Sequence, residues 1–263
     1  MNRLKWISSV IGAAIFTAII AGCMTEPIPE ASAGNPNIIY ILADDLGYGD
    51  LSCYGQKKFE TPNIDRLAVE GMKFTQHYSG STVCAPSRCS LMTGKHTGHA
   101  VVRGNKEIRP EGQAPMPAET VTIPTLLKKA GYTSGMFGKW GLGAPGSVSD
   151  PMEFFDEFYG YNCQRKSHSF YPDHLWHSRL RVELDGKTYS HDLIMDAAKE
   201  FIKASKDQPF FCYLSVTIPH ASMSAPKELH DQYRKKYPQF EDIVDDYGGD
   251  MVTNPVAAFP AMV

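Results

Sequence analysis

The chain has 263 residues, 43% of them hydrophobic and 21% charged, and its 26 Lys and Arg against 29 Asp and Glu leave a formal charge of −3. That composition buries a core in one large domain or two small ones, which excludes a disordered chain and a collagen-like fibre. The near balance of charge leaves no basic footprint for nucleic acid and no strongly acidic or basic partner surface.

Residues 1–22 read as a targeting segment. Arg3 and Lys5 precede an apolar run over residues 6–21, shorter than the ~20 residues a spanning helix needs. The run ends in Ile20, Ala21, Gly22 and Cys23, which resembles a bacterial lipobox. That resemblance implies lipidation of Cys23, with residues 23–35 as a tether rich in Pro, Ser, Ala and Gly. The alternative is an ordinary signal peptide cut after a small residue. Both readings predict export to the periplasm or cell envelope, with the membrane met only through a lipid anchor.

Residues 37–43 form a continuous apolar, β-branched run, the pattern of a strand buried on both faces of a parallel sheet. Residues 61–71 read as a helix with a Thr cap, Pro62 in the first turn, Ile64, Leu67 and Ala68 on one face, and Gly71 as its stop. Residues 123–130 repeat the device before Gly131. A short strand is predicted over 132–137, an amphipathic helix over 192–203 and a second buried strand over 210–216. Such alternation predicts an α/β fold with a mainly parallel sheet. Residues 254–263 look like a helix just starting, which predicts that the chain is a piece of a longer protein.

Six cysteines occur, at 23, 53, 84, 89, 163 and 212, and none forms a CxxC pair, which argues against a zinc ribbon or a thioredoxin-type site. Export would permit disulfides, whose pairing the sequence does not assign.

In an open parallel sheet, ligands bind beyond the carboxyl ends of the strands. Asp44 and Asp45 follow the first predicted strand, Gly138, Lys139 and Trp140 the second, and Thr217, Pro219 and His220 the third. Two carboxylates, a lysine and a histidine are thus expected at one rim. Adjacent acids suit a hard divalent cation such as calcium or magnesium; the plain alternative is a solvated turn. In residues 84–94, Pro86 fits the first turn of a helix and Gly94 its stop. Cys84 then lies at a helix N-terminus, where N–H groups and the dipole favour anions, with Arg88 one turn along. The residues alone allow an activated thiolate beside an anion site, a buried structural thiol, or a disulfide with Cys89.

Cys84-Ala85-Pro86-Ser87-Arg88, with Leu91 and Thr93-Gly94, matches the C-x-P-S-R-x-x-L-x-T-G signature of type I sulfatases, and the chain resembles that arylsulfatase-like family over residues 36–263. Residues 37–45 look like the family's first strand with its metal aspartates. Gly138-Lys139-Trp140 resembles its lysine motif, and Pro219-His220 its histidine. The resemblance implies an alkaline-phosphatase-like α/β fold, here the N-terminal portion of the catalytic domain without its C-terminal part. It implies oxidation of Cys84 by a maturation enzyme to Cα-formylglycine (3-oxoalanine), whose hydrate attacks the sulfur of a sulfate ester. Asp44, Asp45 and residue 84 would hold Ca2+, with Mg2+ as the alternative. Arg88 would brace the formylglycine, Lys139 bind a sulfate oxygen and His220 protonate the leaving oxygen or orient the sulfate. The implied substrate is an aryl sulfate or a sulfated carbohydrate.

Two departures stand out. Many arylsulfatases carry His two residues after the motif lysine, where this chain has Gly141, so His96, His99 and His168 become candidate bases. The family also takes further metal ligands, an Asp-Asn pair and another lysine from later in the chain, so weak metal binding and weak turnover are expected of this piece alone. Tyr161, Phe170, Tyr171, Pro172, His174 and Trp176 form an aromatic-rich stretch, read equally as a ring-binding loop or as loop core, and Lys235-Lys236 reads as a solvated face. Two other functions compete: a phosphonate or phosphate ester hydrolase of the same fold, and a truncated, non-catalytic, lipid-anchored binding protein.

Overall fold

The computed structural model describes residues 34–248 and 251–263; the targeting segment, Cys23 and nearly all of the tether lie outside them. In chain order the elements are β1 (Ile38–Ala43), α1 (Pro62–Glu70), α2 (Cys84–Thr93), α3 (Ile123–Lys129), β2 (Thr133–Lys139), β3 (Glu157–Tyr161), β4 (His174–His177), β5 (Leu180–Glu183), α4 (Ser190–Ser205), β6 (Phe210–Val216), α5 (Lys227–Lys236), β7 (Val244–Asp245), β8 (Val252–Thr253) and α6 (Pro255–Met262). Residues Pro36–Val263 form one compact unit.

The main sheet has the order β1-β6-β2-β3-β4-β5. β1, β6, β2 and β3 run parallel, and β4 and β5 add an antiparallel edge. Alternation along the strands sorts the core into two layers. Met136, Phe158, Phe211 and Tyr213 pack with Ala85, Cys89 and Met92 of α2. Phe137, Phe210, Cys212 and Leu214 pack with Ile194, Ala198 and Phe201 of α4. Each fully buried Phe or Met contributes roughly 1.5–3 kcal/mol, so these layers set the position of α2 against the strand ends.

β1 departs from its expected burial. Ile39 and Ile41 are 50% and 58% exposed. β1 is the edge strand, and α4 packs over β6, β2 and β3, so one face of β1 is left open. β2 also runs two residues beyond its expected end, making Lys139 the last strand residue. Gly138 allows the strands to close up there. It pairs with Ser215 and Gly160, has φ +113°, and a Cβ at this position would lie 1.9 Å from the Ser215 carbonyl oxygen.

The aromatic stretch is core. Tyr161, Phe170 and His174 are buried, and the Trp176 indole N–H donates to Glu111 Oε1 at 2.9 Å. Among the described cysteines, Cys53, Cys84, Cys89, Cys163 and Cys212 are all free, so Cys84 and Cys89 are not bridged. Lys235 and Lys236 are exposed, as expected.

Candidate active site at the strand ends

Parallel pairing brings the carboxyl ends of β1, β2 and β6 to one rim. The Asp44 N–H donates to the Ile218 carbonyl at 3.1 Å, tying the segment after β1 to the one after β6. Asp45 adopts φ +62°, a left-handed conformation that is strained for a residue with a Cβ and concentrates at functional sites. α2 begins at Cys84, and the Ala85 N–H donates to the Asn105 side chain at 2.9 Å. Gly94, at φ +65°, ends the helix.

The buried centre is a charge network. Lys139 Nζ donates to Asp44 Oδ2 at 2.6 Å, and Arg88 Nη2 lies 3.2 Å from Asp44 Oδ1. Arg88 Nη1 donates to the Lys139 carbonyl at 2.7 Å and to the Ser215 hydroxyl, which itself donates to that carbonyl at 2.9 Å. Lys139 Nζ is 3.6 Å from Cys84 Sγ. His220 Nδ1–H donates to the Ala221 carbonyl, while Nε2 lies 3.3 Å from Asp45 Oδ2. Asp44, Cys84 and His220 each place a ligand-type atom within 4.8 Å of the others. Asp44, Asp45, Thr82, Cys84 and Arg88 line a cavity of about 240 Å³.

These contacts set the protonation. Burial alone would raise the Asp44 carboxyl, but Arg88 and Lys139 outweigh it and hold the group at about 2. Burial likewise opposes ionisation of Cys84, yet its hydrogen bond with His220 and the charge of Lys139 bring the thiol below its ordinary value. His220 shifts upward: the hydrogen bond to Cys84 and the charge of Asp44 exceed the effect of burial. The arrangement can therefore carry an anion at residue 84 beside a protonated imidazole and a fixed ammonium.

The donor chemistry bears on a metal. Asp44 and Asp45 offer carboxylate oxygens, which suit a hard cation. The Cys84 sulfur and the His220 nitrogen suit a softer one. The atoms that converge are those of Asp44, Cys84 and His220, while Asp45 lies outside that cluster and meets His220 at 3.3 Å. An oxygen in place of the Cys84 sulfur would give a hard donor beside Asp44, which suits calcium or magnesium.

Every residue singled out for the site in the sequence lies at this rim: Asp44, Asp45, Cys84, Arg88, Lys139 and His220. Of the three candidate bases, His96 and His99 are exposed in a turn beyond the far end of α2, about 15 Å of helix from Cys84. His168 instead stacks on His220, with ring centroids 4.7 Å apart. Burial and the charges of Lys139 and His220 press His168 down to about 4. Gly141 has φ +71°, and a Cβ there would lie 2.8 Å from Gln164 Nε2, so this amide fills the space a larger residue would need. Ser215 and Asn105 were missed; each is a lone polar residue in an otherwise unremarked segment.

Residues 36–254 match the family model described as Sulfatase. N-acetylgalactosamine-6-sulfatase from Rattus norvegicus is 34% identical over 90% of this chain and 51% of that protein. N-acetylglucosamine-6-O-sulfatase from Bacteroides thetaiotaomicron is 31% identical over 88% of the chain and 38% of that protein. The chain thus spans about half the length of the first of these, and less of the second. Among solved structures, Ps i-CgsB superposes with a TM-score of 0.71 at 27% identity, covering 86% of this chain and 51% of its own. A second, solved with its substrate D-glucosamine-2-N,6-O-disulfate, gives 0.64 at 27% identity over 80% of this chain and 39% of its own. The fold is therefore the alkaline-phosphatase-like α/β fold of sulfatases.

Proposed function

The chain belongs to the sulfatase family, and on that premise we propose that the whole protein hydrolyses the sulfate ester of a sulfated carbohydrate through formylglycine at position 84. The observation that carries this reading is Cys84 at the start of α2, with Sγ within 4.8 Å of a His220 ring nitrogen and 3.6 Å from a buried lysine ammonium. Relatives named for 6-sulfated amino sugars and a structure solved with a sulfated glucosamine support the carbohydrate. The resemblance to phosphonate monoester hydrolase of Agrobacterium radiobacter, 20% identical with a TM-score of 0.53, speaks for the fold alone.

A maturation enzyme oxidises Cys84 to the aldehyde with an external two-electron oxidant, the sulfur leaving as sulfide, and water hydrates the aldehyde to a gem-diol. One hydroxyl gives up its proton to solvent and attacks sulfur, the bond from sulfur to the alcohol oxygen breaks, and His220 gives its Nε2 proton to the departing alcohol. The ammonium of Lys139 faces the sulfate oxygens as charge develops. The now neutral His220 takes the proton of the second hydroxyl, the bond from carbon to the sulfate oxygen breaks, and the aldehyde returns. His220 can serve both steps because its ring nitrogen lies within 4.8 Å of the residue 84 side chain, whereas Gly141 offers no base. Asp44, Asp45 and the oxygen at position 84 would hold calcium or magnesium, which supplies positive charge next to the sulfate. Arg88 fixes Asp44 and the Lys139 carbonyl in place.

Export and a lipid anchor at Cys23 complete the reading and rest on residues 1–23. Among the described residues, no helix is long and apolar enough to cross a membrane.

The test is to produce the whole protein beside a formylglycine-generating enzyme. Mass spectrometry of the peptide carrying residue 84 should show aldehyde, and sulfate should be released from sulfated sugars. A fully active protein holding only thiol would sink the mechanism. Faster turnover of an aryl phosphonate than of any sulfate would replace the reaction class.

A further inference from the structure

Three rings from three separate connections meet on the outer side of His220. His168, in the turn after β3, lies nearly parallel to it, with planes 13° apart at 4.7 Å. Tyr247, just after β7, stands 5.6 Å from His168 and 5.8 Å from His220, tilted by 52° and 55°. The cluster grades outward in exposure: His220 is buried, His168 is half-buried and Tyr247 is 56% exposed. Its innermost ring reaches the reacting residue 84, with a ring nitrogen of His220 within 4.8 Å of Cys84 Sγ.

The backbone beneath Tyr247 is fixed while its ring is left open. The Tyr247 N–H donates to Asp245 Oδ1 at 3.2 Å, and its carbonyl accepts from the Ser222 hydroxyl at 3.0 Å. An aromatic face held beside a reacting centre provides an apolar bed, and the phenol provides a polar tip. One exposed charge borders the rings from the connection after β1: the Asp45 side chain is 62% exposed, with Oδ2 3.3 Å from His220 Nε2, whereas Lys166, in the turn that carries His168, is paired with Asp173 at 3.1 Å. A flat apolar surface with hydrogen-bonding groups at its edge matches a pyranose, which presents C–H bonds on its faces and hydroxyls around its rim. A bare aryl ring would use the face and leave the rim groups unpaired.

We propose that His168 and Tyr247 form the subsite for the sugar ring that bears the sulfate, seating it with its ester oxygen toward His220. This subsite rests on the sulfatase reading above for the identity of its ligand.

The experiment uses the whole protein carrying Cys84→Ala, which binds without turnover. Ligand-observed NMR compares three probes: inorganic sulfate, a sulfated monosaccharide and its unsulfated parent sugar. The sulfated sugar should bind more tightly than sulfate. Tyr247→Ala and His168→Ala should each weaken both sugars by roughly 2- to 12-fold, the range of one aromatic contact, while Tyr247→Phe, which keeps the face and loses only the hydroxyl, should lose less than Tyr247→Ala. Because Tyr247 is largely exposed, the melting temperature of its variants should not move, which separates lost contact from lost fold. Unchanged sugar affinity in folded Tyr247→Ala overturns the subsite, whatever the sulfate arm shows. Sugar binding that depends on Tyr247, with no binding of inorganic sulfate, supports the subsite and defeats the sulfatase reading instead. A fourth probe, nitrophenyl sulfate, overturns the assignment to sugar if it alone loses affinity in the variants.

Discussion

Lys139 Nζ lies 2.6 Å from Asp44 Oδ2, with the two side chains 0% and 7% exposed, although 95 residues separate them. A lysine wholly out of water is stable only when its charge is met, and Asp44 meets it. Arg88 faces the other oxygen of the same carboxylate, so Asp44 holds two cations beside residue 84. The lysine that would face the sulfate is therefore also a structural member of the site.

Lys139→Ala should accordingly cost both stability and rate. Removing one partner of a buried ion pair costs about 3–5 kcal/mol, because the remaining charge is stranded. Arg88 partly compensates Asp44, so the lower end is expected. Urea unfolding of the variant checks this, and an unchanged midpoint would show that Lys139 carries no structural load. In the chemical step, loss of the donor should slow sulfate release by about 10²–10³-fold.

His220→Ala should be sensitive to the leaving group. A sugar hydroxyl needs a proton as it departs, whereas nitrophenolate needs it far less. The rate on a sulfated sugar should fall by at least about 10²-fold, and that on nitrophenyl sulfate by clearly less. Equal losses on both substrates would defeat the general-acid role.

Asp156 gives the fold a pH-dependent anchor away from the site. Its Oδ1 takes a 2.7 Å contact from Lys128 Nζ, and Oδ2 accepts the Ser134 N–H at 2.9 Å, joining α3 to the start of β2. Burial raises this carboxyl, but the bonds from Lys128 and Ser134 outweigh it and hold the group below its ordinary 3.8. The contribution is therefore complete above that ordinary value and is lost as the pH falls through the lower folded value. Asp156→Asn should destabilise by about 1 kcal/mol at neutral pH. The difference should vanish in strong acid, and a constant difference across that range would refute it.

Gly138→Ala should disrupt the sheet. The positive φ and the carbonyl of Ser215 at 1.9 Å leave no room for a methyl group. The strain and the separation of β2 from β6 should cost about 3 kcal/mol or more and displace Lys139. The melting temperature and the recovery of soluble protein report the outcome; a wild-type melting curve would contradict the packing.

Local chemistry was legible in the sequence. The apolar run 37–43, the run 210–216 and the Pro86 and Gly94 punctuation of α2 are signals within a few residues, and propensity, capping and side-chain period fix them there. The parallel reading of those strands was enough to gather Asp44, Asp45, Lys139 and His220 at one rim, because strand direction alone determines which ends meet. Tertiary structure alone decided the rest. β1 lies at the sheet edge with Ile39 and Ile41 exposed, since burial of a strand face depends on whether a helix lies over it. His168 and Tyr247 reach His220 only because the turns after β3, β6 and β7 converge, and no residue pattern within any one turn encodes that meeting. Ser215 braces Arg88 across 127 residues for the same reason. Periodicity and capping act over one or two turns of chain, whereas a contact between distant segments exists only after the core has packed and set their separation.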